Sequence, residues 1–361
     1  MKNLLVTGGC GFIGSNFIHY LHTIEPSLRI YNIDSLTYAA NQDNLANLKG
    51  KANYVFIQGD ICDSDLVERV LIESDIDTVV HFAAETHVDR SIYGPEAFIH
   101  TNVVGTFRLL EAVKKVWLSQ ENSNSDQFRF HHVSTDEVYG SLSPTDPAFS
   151  ESTPYAPNSP YSASKAASDH LVRSYSHTYQ LPITISNCSN NYGAYQYPEK
   201  LIPLVVLNAM KGDPLPVYGD GRQIRDWLYV IDHCDAIYQI LTRGKPGETY
   251  NIGGDTQLTT VEVITTICAI MDELLPQSAV LPHNQLIKYV NDRPGHDRRY
   301  AIDATKIQNE LNWCPKTNFQ EGILKTVNWY LQNLDWVEEM LSRKDYKIWL
   351  EKNYDQRGED K

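Results

Sequence analysis

The run Asn3-Leu4-Leu5-Val6-Thr7 ends in Gly8-Gly9-Cys10-Gly11-Phe12-Ile13-Gly14 and passes straight into a segment of helical period. No other stretch of the 361 residues constrains the fold so tightly. The glycines satisfy both a Gly-x-Gly-x-x-Gly and a Gly-x-x-Gly-x-x-Gly spacing, which suits a tight turn whose backbone must approach a pyrophosphate. The helix that follows offers unpaired N–H groups and the positive end of its dipole. A glycine cluster alone also makes an ordinary sharp turn. With a strand before it and a helix after it, the cluster points to dinucleotide binding through Gly8, Gly11 and Gly14. Asp34 closes the next strand about twenty residues beyond Gly14, where a carboxylate accepts hydrogen bonds from the adenosine ribose. Its charge repels a 2′-phosphate, so NAD is expected over NADP; the same aspartate also fits a turn or a cap.

Beyond this turn, short β-branched runs alternate with segments whose apolar residues recur three and four apart, the pattern of βαβ units and a parallel sheet. Strands are expected at Asn3–Thr7, Arg29–Asp34, Tyr54–Gln58, Thr78–Phe82, Phe128–Ser134 and Ile183–Asn187. Helices are expected at Phe12–Ile24, Asp63–Ser74, Asn102–Leu118 and Tyr161–Tyr179. Right-handed crossovers then give an α/β chain with a Rossmann-type doubly wound parallel sheet. At this length a single core tends to split, so a smaller C-terminal substrate-binding domain is expected beside it. Proline and glycine rise around Pro198–Asp220, where regular alternation is lost, and Glu248–Ile252 reads as a strand returning to the first sheet. The expected division is residues 1–188 and 229–256 for the dinucleotide domain, with 189–228 and 257–361 for the substrate domain. The polar segment Ser119–Gln127 is expected as an exposed loop and Pro-rich Ser143–Pro160 as a site-forming one. Near the end, Phe319, Ile323, Val327 and Tyr330/Leu331 form a helical stripe.

The formal charge of −14 argues against a nucleic-acid partner, because a net acidic field repels phosphate backbone; a small anion held by a few local arginines remains compatible. No apolar stretch is long enough to span a bilayer, and the first residues lack a signal-peptide pattern, so a cytoplasmic location is expected. The six cysteines, Cys10, Cys62, Cys188, Cys234, Cys268 and Cys314, show no paired short spacing. They are read as buried or incidental thiols, with no metal site expected.

Tyr161-Ser162-Ala163-Ser164-Lys165 places a phenol and an ammonium four residues apart on one helix face. A nearby cation lowers a phenol's pKa and lets it act as a base near neutral pH. Such a pair is poor evidence alone, since a chain with 22 tyrosines meets the spacing by chance. Ser134-Thr135-Asp136-Glu137-Val138-Tyr139-Gly140 is more informative, because it ends a predicted strand where open α/β sheets bind their ligands. Thr135 is placed to hydrogen-bond the oxygen that Tyr161 deprotonates. Adjacent strand residues face opposite ways, so Asp136 and Glu137 serve one site only if the extended backbone breaks there. In a dry cleft two such carboxylates do not both ionise, and one becomes an acid while the other stays basic; the same pair also fits two solvated acids in a loop.

Taken together, these motifs resemble the extended short-chain dehydrogenase/reductase family and, within it, the dTDP-glucose 4,6-dehydratases. The resemblance covers nearly the whole chain. It rests on Thr7–Gly14, on Phe82-Ala83-Ala84-Glu85 with His87-Val88-Asp89-Arg90-Ser91, on Thr135–Gly140, on Tyr161–Lys165, on Asn187-Cys188-Ser189-Asn190-Asn191-Tyr192-Gly193 and on Asp292–Arg299. It implies NAD contacts at Phe12, Ile13, Asp34, Ser35, Leu36, Thr37, Asp60, Ile61, Phe82, Ala83, Ala84, Glu85, Thr86, Thr101 and Asn191, with Tyr161 and Lys165. It implies nucleotide-sugar contacts at Thr86, Thr135, Asn190, Lys200, Leu201, Pro216, Val217, Tyr218, Arg225, Asp292, Arg293, Pro294, Gly295 and His296. A position usually Asn in the family aligns with Thr260. The flat guanidinium forks of Arg225 and Arg293 suit a diphosphate, although either arginine taken singly also fits an ordinary surface position.

The implied reaction is a lyase reaction, an internal hydride transfer from C4 to C6 of the hexose by way of NAD, with loss of water. Tyr161 takes the C4 hydroxyl proton, Glu137 the C5 proton, and Asp136 protonates the departing C6 hydroxyl. A homodimer is implied by the resemblance alone. A nucleotide-sugar 4-epimerase would share the glycine turn, Thr135, Tyr161 and Lys165, but would need no proton shuttle at C5 and C6. A UDP-glucose 4,6-dehydratase would run the same chemistry on another base, and an inactive NAD-binding sensor would have no use for Tyr161 and Lys165.

Overall fold

The computed structural model describes residues 1–119 and 127–351, so most of the loop expected at Ser119–Gln127 lies outside the described residues. Six strands open the chain: β1 (Asn3–Thr7), β2 (Arg29–Asp34), β3 (Tyr54–Gln58), β4 (Thr78–His81), β5 (Arg129–Thr135) and β6 (Ile183–Cys188). Six more follow: β7 (Asn190–Tyr192), β8 (Leu215–Tyr218), β9 (Ile224–Tyr229), β10 (Thr249–Ile252), β11 (Gln257–Thr259) and β12 (Ile287–Val290). The main sheet has seven strands in the order β10-β6-β5-β4-β1-β2-β3, every neighbouring pair parallel. This is the Rossmann-type doubly wound sheet. The strand order reverses between β1 and β4, which opens a crevice at their carboxyl ends.

Helices α1 (Phe12–Ile24), α2 (Ser64–Glu73), α3 (Val88–Tyr93), α4 (Pro95–Phe98), α5 (Thr106–Leu118) and α6 (Pro160–Tyr179) belong to the first half. Then come α7 (Leu201–Lys211), α8 (Val230–Arg243), α9 (Thr260–Leu274), α10 (Thr305–Leu311), α11 (Phe319–Gln332), α12 (Leu334–Ser342) and α13 (Lys344–Leu350). Pleating sends successive side chains to opposite faces, so Leu5 and Val79 join the core under α2, α5 and α6, while Leu4, Val6 and Val80 join the one under α1 and α8. A sheet buried on both faces therefore reads as the unbroken apolar run Leu4-Leu5-Val6 rather than as alternation.

The helix expected from Asn102 starts instead at Thr106, after a wide π-helical turn over Ile99–Gly105. Asn102 sits in that turn and clasps the backbone of Glu85, accepting from its N–H at 2.8 Å and donating to its carbonyl at 3.0 Å. A side chain recruited to hold a strand end takes its own turn out of regular α geometry, a common use of such turns near functional sites.

After β6 the chain leaves the main sheet. It builds a small sheet β11-β9-β7 and the pair β12-β8, covered by α7, α9 and α11 around Tyr192, Val205, Trp227, Ile264 and Ile323. The predicted stripe is buried on α11 through Phe319, Ile323, Val327 and Tyr330. The strand expected at Glu248–Ile252 returns to the first sheet as β10, parallel to β6 with Thr249 opposite Ile185.

Trp117 anchors the core beneath α5: it is 1% exposed, stacks on Phe128 at 4.8 Å and donates to the Ile76 carbonyl at 3.0 Å. Trp117→Ala should cost about 3–5 kcal/mol, the cavity adding to the lost burial and the carbonyl left unpaired. Urea unfolding at saturating cofactor measures it, and a loss below about 1 kcal/mol would contradict this packing.

Candidate active site

The glycine turn after β1 is shaped by what it excludes. Gly8 has φ +74°, and a Cβ there would meet Ala83 N at 2.6 Å; one on Gly14 would meet the Gly8 carbonyl at 2.4 Å. Gly11 caps α1 with extended backbone and no side-chain acceptor, so no side chain covers the first turn of that helix where it borders the crevice. This is the cradle a pyrophosphate requires. Asp34 serves the turn and also borders the crevice. Its oxygens accept from Cys10 N and Leu36 N, each at 2.8 Å, which holds Leu36 at φ +55°, and the carboxylate still lines the crevice. Each carboxylate oxygen keeps a lone pair for a ribose hydroxyl.

One continuous cavity runs from this turn across the switch point. It gathers Gly8, Gly11, Phe12, Ile13, Gly14, Asp34, Ser35, Thr37, Asp60, Ile61, Phe82 through Thr86, Thr101 and Asn191 at one end. Thr135, Asp136, Glu137, Tyr161, Lys165, Asn190 and Lys200 line the same cavity. Leu36 does not line it; its side chain packs against the core under α1 and α8. The residues present fit NAD.

The break after β5 that the two acids require is there. Thr135 ends the strand, its hydroxyl accepts from Glu137 N at 3.3 Å, and Asp136–Tyr139 form a 3₁₀ turn closed by Gly140 at φ +92°. Asp136 and Glu137 thus reach one cavity from adjacent positions. Their surroundings differ. Burial pushes the Asp136 carboxyl well up, and the charges of Glu137 and Asp226 push it further. Burial also raises Glu137, but Arg293, Lys200 and Arg225 oppose the rise. One group keeps its proton while the other gives it up more readily, an acid beside a base.

Tyr161 and Lys165 share a face of α6 and line the same cavity. The phenol is held well above the ordinary tyrosine range, by burial first and then by Glu137, while the Thr135 hydroxyl lowers it. Lys165 turns inward, donating to the Val133 carbonyl at 2.9 Å with His132 Nε2 3.5 Å away. Beneath it lies a buried polar layer that sequence reading missed. Asp169, one helical turn beyond Lys165, approaches His132 Nε2 at 3.1 Å and accepts from Ser134 Oγ at 2.8 Å and Tyr155 OH at 3.0 Å. Burial raises its pKa to about 6, while Lys165 and the hydrogen bonds restrain it. The i, i+4, i+8 spacing of Tyr161, Lys165 and Asp169 was the available signal.

Leu201, Pro216, Val217, Tyr218, Arg225 and Asp292 through His296 lie outside this cavity lining, on α7, β8, β9 and the loop after β12. They form a neighbouring group: Gln223 Nε2 donates to Asp292 at 3.1 Å, His296 Nδ1 sits 2.6 Å from Asp292 Oδ1, and the Tyr218 and His296 rings meet edge to face. Arg293 pairs with Asp89 at 3.2 Å, leaving its buried Nε without a protein acceptor. Thr260 opens α9 and donates its N–H to the Gln223 carbonyl. The Ser143–Pro160 loop does not line the cavity, contrary to expectation. It braces the loop after β12 instead, with the Asp146 carbonyl accepting from Arg299 Nη1 at 2.8 Å, Phe149 N on Ala301 O at 2.8 Å and Asn158 on Asp297 at 2.7 Å. Tyr38, Ala39, Ala40, Tyr197 and Glu199 line the cavity with no sequence signal to mark them.

The family described as GDP-mannose 4,6 dehydratase matches residues 5–326. A dTDP-glucose 4,6-dehydratase of Xanthomonas campestris pv. campestris is 57% identical over 94% of this chain and 96% of its own. Among solved structures, the dTDP-glucose 4,6-dehydratase of Bacillus anthracis in complex with NAD superposes with a TM-score of 0.83 at 46% identity, over 94% of this chain and 100% of that one. The Streptomyces venezuelae dTDP-glucose 4,6-dehydratase with NAD and TYD bound gives 0.85 at 43%, over 94% and 100% of the two chains.

The unequal acids fix a pH profile. Turnover should fall toward acid as Glu137 takes up its proton, at a pH above the ordinary glutamate range, and fall toward alkali as Asp136 loses its own. Glu137→Gln should lower kcat by about 10²–10⁴-fold and abolish the acid limb. A variant that keeps the wild-type limb would show that another group sets it.

Proposed function

Since the chain belongs to the dTDP-glucose 4,6-dehydratase family, we propose a division of labour among its own residues for the conversion of dTDP-glucose to dTDP-4-keto-6-deoxyglucose and water. When bound, NAD supplies a reversible hydride acceptor and the positive charge of its nicotinamide ring. Tyr161 as phenolate, a form that the nicotinamide's positive charge would favour over the raised pKa of the buried phenol, takes the proton of the C4 hydroxyl while Thr135 hydrogen-bonds the same oxygen. With C4 as a ketone, the C5 proton becomes acidic and Glu137 removes it. Asp136, the group that holds its proton, delivers it to the C6 hydroxyl, which leaves as water; Glu137 then gives a proton back to C5 as C6 is reduced by the hydride first removed from C4, which completes the 4-keto-6-deoxy sugar. One observation carries this reading: two adjacent carboxylates reach one cavity from a single 3₁₀ turn, both raised by burial but Glu137 opposed by three cations where Asp136 meets two acids and only Arg225. A 4-epimerase has no use for that pair.

Lys165 positions the nicotinamide end of the cofactor, and the glycine turn with Asp34, Asp60, Ile61, Phe82 through Thr86, Thr101 and Asn191 holds the rest. Lys200, Arg225 and Arg293 bind the sugar diphosphate, with Asn190, Leu201, Pro216 through Tyr218 and Asp292 through His296 around the nucleotide. In this reading residues 1–188 and 229–256 are the cofactor unit, and 189–228 and 257–361 the nucleotide-sugar unit. We assign a homodimer, supported by the apolar Tyr93, Ile99, Val104 and Phe107 left exposed along α3, the π turn and α5. No helix of the described residues is long and apolar enough to cross a membrane, and the described cysteines are free, as suits a reducing cytoplasm.

Purified protein given dTDP-glucose without added NAD should form the 4-keto-6-deoxy sugar, and UDP-glucose should react more slowly. Turnover in heavy water should place one deuterium at C5, and product without it would remove Glu137 from the mechanism. Asp136→Asn should slow water loss far more than C4 oxidation, whereas equal slowing of both would reassign the acid.

A further inference from the structure

The matched family region ends at residue 326, yet two further helices, α12 and α13, fold back across the molecule. They close over the segment Tyr38–Asn44, whose first part walls the cofactor cavity through Tyr38, Ala39 and Ala40. Arg343, between the two helices, donates to the Ala40 carbonyl at 2.7 Å and to the Tyr38 carbonyl at 3.4 Å. Trp336 Nε1 donates to Asn44 Oδ1 at 2.7 Å, and Asn41 Nδ2 to Glu339 at 3.3 Å. On the other side of the segment, the Arg90 guanidinium lies 3.8 Å over the Tyr38 ring, pairs with Glu199 at 2.8 Å and reaches the Asp345 carbonyl. Met340, Tyr346 and Trp349 complete the contact by packing on Tyr197 and Leu204, with Tyr38 and Ala39 against the same cluster.

We propose that α12 and α13 are a cofactor-retaining strap, with Arg343 and Trp336 as positioning residues that hold the Tyr38–Asn44 wall shut on bound NAD. The proposal rests on the dehydratase reading for its purpose: a hydride taken from C4 must return to the same sugar, so a cofactor that escapes in mid-cycle strands the intermediate. Of the three bonds that Arg343 and Trp336 make to this segment, two end on backbone carbonyls, so they fix the path of the chain rather than any one side chain. A charge-assisted bond from a half-buried arginine is the stronger kind.

The test is exchange of bound NAD for isotopically labelled NAD, in the full-length holoenzyme and in Arg343→Ala and Trp336→Phe. Arg343→Ala should exchange about ten-fold faster and emerge from gel filtration with less NAD per chain, and Trp336→Phe should show a smaller change in the same direction. Turnover in Arg343→Ala should depend on added NAD, while the KM for dTDP-glucose stays at the wild-type value. Unchanged exchange in a folded Arg343→Ala protein would overturn the strap, and if that variant fails to fold, unchanged exchange in Trp336→Phe does so. A general loss of structure would lower the melting temperature and raise the sugar KM together, and that result also counts against it. Faster exchange in a protein that makes no 4-keto sugar would keep the strap and reject the dehydratase reading.

Discussion

Everything chemical in this molecule depends on where β5 stops. A strand that ran two residues further would send Asp136 and Glu137 to opposite faces of the sheet. The Thr135 hydroxyl prevents this by accepting the Glu137 amide, which starts a 3₁₀ turn at the place where the switch in strand order has opened the crevice. One side chain therefore ends a strand, aims two acids and faces the phenol of Tyr161. Its loss would be felt in all three at once.

Placing those acids in a dry cleft carries an electrostatic cost that the surroundings distribute unevenly. Arg293, Lys200 and Arg225 come from the second layer of the fold and bear on Glu137, whereas Asp136 faces Glu137 and Asp226. The difference between the two carboxyls thus comes partly from the motif, where Glu137 acts on Asp136, and partly from elements that follow β6. Below the crevice, Lys165, His132 and Asp169 form a second charged layer in which burial holds His132 neutral, so the lysine and the aspartate are the charges that balance each other.

What could be read from the chain was what is local. The glycine turn, Asp34 and the α6 pair are specified by neighbours a few residues away, and their spacing carries the chemistry. The succession of strands and helices was legible for the same reason, since each βα unit announces itself. The Tyr38–Ala40 wall was not legible because it is set by helices some three hundred residues later in the chain, nor was Glu199, which is held by Arg90 and Tyr38. Ser143–Pro160 misled because proline-rich segments look alike whether they line a site or brace the loop that does. The inward turn of Lys165 depends on the Val133 carbonyl and His132, thirty-odd positions earlier, which helical spacing cannot reveal.

The return of the chain as β10 has a mechanical consequence. A polypeptide that visits the outer layer, comes back to pair with β6 and leaves again after β10 ties the two layers at three crossings: after Cys188, into α8, and between Ile252 and Gln257. Each added crossing removes some of the freedom that a single connector would leave between the layers. The acids of the β5 turn and the cations facing them come from different layers, so the covalent chain itself helps to keep them in register.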